Sequence, residues 1–186
     1  MSQRVLIVSP HFAPVNTPDH HRVRMSLSYL EEFGWSAHVL AVAPEFVEAE
    51  RDLDLLKTIP PSTTVTRVPA LPVRLTRWFG LGNLGLRAVV SLSRAGGQLL
   101  RREHFDLVYF STTVFLVLAL GPHWKRRLGI PYVLDMQDPW LNDYYQRSGM
   151  PPPGGRIKYG FAQWQARCLE PSTMRQAAHI LSVSPK

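Results

Sequence analysis

The sequence predicts an α/β domain with a doubly wound, mostly parallel sheet and helices on both faces. Short runs rich in aliphatic and β-branched residues alternate with longer stretches of helical periodicity. The first run, Val5-Leu6-Ile7-Val8, is apolar throughout, as in strands that are covered on both faces. Polar loops follow several of the runs, where a parallel sheet opens its ligand crevice. With 186 residues, 45% hydrophobic and 10% aromatic, the chain has enough apolar surface for one sizeable core.

Taken in order, Val5–Val8 is a strand closed by Ser9-Pro10, and Thr17-Pro18 reads as a helix entry with Pro at the first helical position. Val23, Leu27, Leu30 and Phe33 follow at helical spacing up to Gly34. Residues 37–42 form a second strand, 45–57 a charged helix, and 64–68 a third, β-branched strand. Residues 86–102 form a helix in which Gly96-Gly97 either weakens the element or permits close packing. A strand at 107–110, a helix at 114–127 and a strand at 132–134 come next. A polar loop covers 135–155. Ile157, Phe161, Trp164 and Cys168 then mark one helical face, and 180–183 is the last strand.

Twenty-one Lys and Arg against fourteen Asp and Glu give a net charge of +7. The sequence pI is near 10.0. Phosphorylated small molecules, an anionic membrane surface and nucleic acid all suit such a charge. Nucleic acid is disfavoured, because there is no zinc-finger spacing, RNP-type aromatic motif or long basic tract. The single Cys168 excludes an internal disulfide framework and a Cys-rich metal site, and fits a reducing compartment. The longest apolar run, 114–120, falls well short of the roughly 20 residues of a membrane span. Charged Arg4 followed by only a short apolar run is no signal peptide. These features predict a soluble, cytoplasmic domain.

The crevice rule selects three loops: 9–19, 111–113 and 135–143. The first holds His11, Asn16, Asp19, His20, His21, Arg22 and Arg24 around a helix N-terminus, an arrangement suited to anions. His11, directly after a strand, faces the crevice. His20 and His21 are adjacent, so they point apart and do not share a metal. The third loop, DMQDPW, carries Asp135 and Asp138, one of which could orient or deprotonate a hydroxyl. Trp140, Tyr144 and Tyr145 either stack on sugar rings or cover the core. Between Leu71 and Arg102, Arg74, Arg77, Arg87 and Arg94 interleave with Leu75, Trp78, Phe79, Leu81, Leu84 and Leu86. That segment reads as an interfacial membrane contact or as ordinary packing on the sheet.

Four pieces together resemble the N-terminal domain of a GT-B glycosyltransferase of family 4. They are RVLIVSPHFAP, RMSLSYLEEFGWSAHVLAV, FDLVYFS with GIPYVLDMQDPW, and the Glu170 helix leading into AAHILSVS. The resemblance implies a Rossmann-like half of a retaining transferase that moves a sugar from a nucleotide-diphosphate donor to a hydroxyl acceptor. The acceptor would be a polysaccharide or lipid-linked glycan, and the enzyme peripheral at the inner membrane face. The donor would be held mainly by a C-terminal domain through a Glu-x7-Glu motif. No Glu pair here has that spacing, so residues 1–186 would be the acceptor side alone. The resemblance places His11, Asn16 and Arg22 in the crevice and Asp138 among acceptor-contacting residues. With the reading of the DMQDPW loop, Asp138 is expected in the catalytic role and Asp135 and Trp140 among the substrate-binding residues, with no cofactor or metal. Two departures stand out: the first loop has Pro14 and Asn16 but no Gly-Gly for the diphosphate, and Ala178 replaces a usual Asp. A non-catalytic nucleotide- or sugar-binding module on the same fold is the alternative. A zinc deacetylase also begins with a strand and Pro-His, but here Phe12-Ala13 stand where its Asp pair belongs.

Overall fold

The computed structural model describes residues 3–77, 82–152 and 154–183. Six strands form one all-parallel sheet: β1 (Gln3–Val8), β2 (Trp35–Val42), β3 (Thr64–Val68), β4 (Leu107–Ser111), β5 (Tyr132–Met136) and β6 (His179–Ser182). Their order is β3-β2-β1-β4-β5-β6, so the direction of winding reverses between β1 and β4. The fold is the predicted doubly wound, Rossmann-like one. Register places Val5 against Ala37 on one side and Leu107 on the other.

The apolar runs divide their side chains between two cores, as strand alternation requires. Leu6 and Val8 join Leu40, Val42, Phe110 and Leu134 on one face. Val5 and Ile7 join Val39 and Ala41 on the other. The second face is covered by α1 (His21–Leu30) through Val23 and Leu27. The first carries α3 (Leu84–Arg102), α4 (Leu120–Leu128) and α6 (Gly155–Gln176), with two short helices, α2 (Val73–Arg77) and α5 (Tyr144–Ser148), in the connections. In α3, Asn83 caps the start by accepting from the Gly85 N–H at 2.7 Å. Arg101 and Arg102 oppose the dipole at its end.

Several elements differ from expectation. The first helix stops at Leu30, and Phe33 lies exposed in a turn that Gly34 closes at φ 78°. Residues 45–57 hold no α-helix. They form two 3-10 turns, Pro44–Phe46 and Leu53–Thr58, joined by a strap that hydrogen-bonds the first loop through Asn16 N to Glu50 O (2.8 Å) and Asp52 N to Pro14 O (2.7 Å). The expected helix at 114–127 is a 3-10 turn, Phe115–Ala119, followed by α4. In the 71–102 segment, Leu84, Ala88 and Leu92 of α3 are buried in the core, while Trp78, Phe79 and Leu81 lie outside the described residues.

Of the two readings of Gly96-Gly97, close packing holds. A Cβ on Gly96 would lie 2.5 Å from the Trp124 ring, itself stacked on Phe110 with centroids 5.9 Å apart. We therefore expect Gly96→Ala to destabilise the domain, the overpacking cost of about 1–3 kcal/mol exceeding a gain in helix propensity of at most about 1 kcal/mol. Gly160 in α6 has open space around its Cβ position, so Gly160→Ala should instead stabilise by about 0.5–1 kcal/mol. Urea midpoints of the two variants should move in opposite directions, and a shared direction would refute the packing account.

Candidate functional site

The loops after β1, β4 and β5 meet at one buried residue, Asp19. Asp19 lies in the 3-10 turn Pro18–His20 that leads into α1. It accepts from His11 Nδ1 at 2.9 Å and Thr112 Oγ1 at 3.2 Å, with Thr113 Oγ1 at 3.4 Å. Its backbone carbonyl accepts from Gln137 Nε2 at 2.8 Å. Burial opposes the charge on Asp19, but the bond to His11 and the imidazole's charge outweigh it and hold the carboxyl below its ordinary range. A carboxylate can only accept, so His11 Nδ1 carries a proton toward Asp19 and the ring's other nitrogen, Nε2, is turned away from that carboxylate.

A second buried carboxylate, Asp135 at the end of β5, accepts from Ser111 Oγ (2.7 Å), Tyr109 OH (3.1 Å) and Arg22 Nη1 (2.8 Å). Burial and then the Asp135 charge push the Tyr109 phenol upward, so it remains a neutral donor. Arg22 is 44% exposed while its partner is fully buried. The carboxylate thus steadies one edge of a guanidinium whose remainder reaches solvent. Gln137 Nε2 also reaches Ser111 Oγ at 3.1 Å, which links the two carboxylate networks.

Beside the reversal between β1 and β4 is a cavity of about 380 Å³. His11, Thr17 and Thr113 line one side, and Val47–Ala49 with Gly82–Leu84 and Arg87 line the other. Arg87 is buried and donates to Leu71 O (2.9 Å) and Phe46 O (3.0 Å), tying α3 to the cavity wall. Behind the first loop His20 is fully buried, edge-on to Phe12 at 6.0 Å, and neither ring nitrogen has a hydrogen-bond partner. Contrary to the expectation that the two point apart, its ring packs against that of His21 at 4.6 Å, because the 3-10 turn ends and α1 begins between them. Burial first, and His21 second, push its pKa down to about 4, so it is neutral.

Of the residues singled out from sequence, His11 lines the cavity, and Arg22 and Asp135 form a pair nearby. Asn16 is exposed and does not line the cavity. Asp138 is exposed and makes no hydrogen bond or ion pair among the described residues. Trp140 is buried and stacked on Phe115 at 6.0 Å, which gives it the core-covering role of the two open to it. Asp19, Gln137 and Arg87 are marked in the sequence only as members of two crevice loops and a basic segment, and Thr112 only by its place in the loop after β4; the bonds that give them their roles are not legible there. Each acts on loops far away in the chain.

Residues 20–186 match the model of the glycosyl transferase 4-like domain. The chain belongs to this family. No curated protein sequence matches it. Among solved structures it is similar to UGT2 of Phytolacca americana, complexed with UDP-2fluoro-glucose and pterostilbene, at 16% identity and TM-score 0.60, covering 97% of this chain and 46% of that one. A UGT transferase from Siraitia grosvenorii in complex with UDP matches at 13% identity and TM-score 0.58, over 97% and 44% of the two chains. Anabaena HepE in complex with UDP matches at 15% and 0.51, over 96% and 37%. These likenesses show the GT-B type of fold. The chain spans less than half the length of each.

In this glycosyl transferase 4-like domain, His20 sets an acid limit on the first loop. Its folded-state pKa of about 4 lies below the ordinary 6.5, so the folded form resists a proton that the unfolded chain takes up. Stability contributed by the neutral ring is complete above about pH 6.5 and is lost as pH falls toward about 4. His20→Phe should flatten that part of the profile. Urea midpoints of wild type and variant at pH 7 and pH 5 check this: an equal drop in both would remove His20 as the cause.

Proposed function

We propose that the chain is the acceptor side of a glycosyltransferase in which His11, held by Asp19, is the base for the acceptor hydroxyl. The observation that carries the reading is the His11–Asp19 pair, with Nδ1 bonded to a buried carboxylate and the ring lining a cavity beside the sheet's reversal. Such a placement fits general-base work, because the carboxylate fixes the tautomer and stabilises the imidazolium that forms. Family membership and the UDP-bound structures on the same fold support a nucleotide-diphosphate sugar as donor.

In the reaction, the acceptor hydroxyl passes its proton to His11 Nε2 while its oxygen bonds the anomeric carbon. The bond from that carbon to the nucleotide diphosphate breaks, and the departing phosphate takes the electron pair. Arg22, steadied by Asp135, offers its exposed guanidinium edge to the phosphate charge. The donor is otherwise held by a domain beyond these residues, which suits a first loop without Gly-Gly. The retention that the family resemblance implies requires the acceptor oxygen to arrive on the face of the anomeric carbon that the phosphate leaves, since attack from the opposite face would invert it. The resemblance likewise implies a polysaccharide or lipid-linked acceptor.

Asp138, exposed in the loop after β5, is the competing candidate for the base. Assayed in the complete polypeptide with UDP-sugar donors, His11→Ala should lower kcat by about 10²- to 10⁴-fold, as expected for loss of a general base. Asp19→Asn should share much of that loss, and Asp138→Asn should have a much smaller effect. Equal losses from Asp138→Asn and little from His11→Ala would transfer the role to Asp138. Nucleotide-sugar binding without turnover in the wild type would favour the non-catalytic module.

A further inference from the structure

The helical face marked by Ile157, Phe161, Trp164 and Cys168 points away from the sheet. In α6 the buried positions are Gln163, Ala166 and Thr173. The three large apolar side chains on the opposite side are 90%, 47% and 61% exposed, and Cys168 is exposed beside them. At 3.6 residues per turn these four make one continuous stripe. Cations border it: Arg156 and Arg167 on one flank, Lys158 on the other, and Arg175 in line with it at the helix end. The lone carboxylate of α6, Glu170, is half-buried on the side away from the stripe.

We propose that this outward face of α6 docks on an anionic phospholipid bilayer. Trp, Phe and Ile between flanking Arg and Lys match the headgroup layer: the rings and the Ile chain enter the acyl boundary, and the long basic stems carry their charges back to the phosphates. The charge pattern selects a bilayer over a second copy of this chain. Two such faces brought together would oppose cation to cation, in a protein already at +7. Among the described residues no helix is long and apolar enough to cross a membrane, so the contact would lie in the interface plane. The surface is separate from the His11 cavity, and the inference stands independently of the catalytic proposal.

The test uses vesicles of pure phosphatidylcholine and of equimolar phosphatidylcholine and phosphatidylglycerol, with flotation as the readout. The protein should float with the anionic vesicles and not with the neutral ones, and salt near 0.5 M should weaken binding as its charges are screened. The combined variant Ile157→Ser, Phe161→Ser and Trp164→Ser should lose binding by about tenfold or more. Its thermal melt should be unchanged, because the replaced side chains are exposed. Cys168, the only cysteine, places an environment-sensitive fluorophore on the stripe, and its emission should rise on adding the anionic vesicles. Absence of flotation, undiminished binding by the triple variant, or a solution dimer that the triple variant splits would each overturn the proposal.

Discussion

The arrangement beyond the sheet depends on the burial of the Asp19 carboxylate. An uncompensated buried charge costs about 3–5 kcal/mol, so its partners cannot be chosen independently. They come from three loops: His11 after β1, Thr112 and Thr113 after β4, and, through the Asp19 carbonyl, Gln137 after β5. Satisfying this carboxylate therefore ties the loops after β1 and β4 together, and the Asp19 carbonyl adds the loop after β5. Asp135 repeats the device one strand further along, with Ser111, Tyr109 and Arg22. Gln137 joins the two through Ser111, so a shift in any one of these loops would strand donors or acceptors in both networks.

The same constraint separates holding from contact. Asp135 is fully buried and has three donors, and in the proposed reaction it aims Arg22. Asp19 stands to His11 as Asp135 does to Arg22. In each pair the sequestered carboxylate supports a side chain that reaches the cavity or solvent, which is how geometry can be held without leaving the reactive group in the core. Asp138 has no such support among the described residues and is exposed in the loop after β5.

The inner strands were legible because burial on both faces leaves an unambiguous apolar run, whereas 64–68, which matches β3 residue for residue, was legible from its β-branched residues although only Val68 is buried. The loops after β1, β4 and β5 were legible from the crevice rule alone. Helix limits were less so, for reasons that lie outside local periodicity. Residues 47–52 are drawn into an extended strap by bonds to the first loop, including an isolated antiparallel bridge between Val15 and Arg51. That tertiary pairing outweighs the charged, helix-compatible composition, and it supplies the Val47–Ala49 wall of the cavity. In 114–127, Pro122 fits the first turn of a helix, where its missing N–H costs nothing, and α4 begins two residues before it. Roles within the site were the least legible part. Asp19 is one polar residue in a polar loop until Thr112 and Gln137, more than ninety positions away, are placed beside it.

Helix α6 shows a different limit on reading periodicity. Its Ile157, Phe161, Trp164 and Cys168 spacing correctly indicates a helical face, but spacing cannot say which side of the helix meets the core. Its fully buried positions are small or polar, Ala166, Thr173 and Gln163, with Leu169 and Met174 partly buried against the core beside them. Hydrogen bonds hold the helix as well. Tyr159 OH and Gln163 Nε2 both donate to Asn142 O at 2.7 Å, Lys125 Nζ donates to Gln176 O at 2.7 Å, and Tyr132 OH donates to Thr173 O. These bonds reach the helix from its first turns to its last residue, and each fixes its rotation about its own axis. A helix oriented by polar pegs is free to carry its large apolar residues outward, an inversion that the usual rule of apolar-inside patterning would misread.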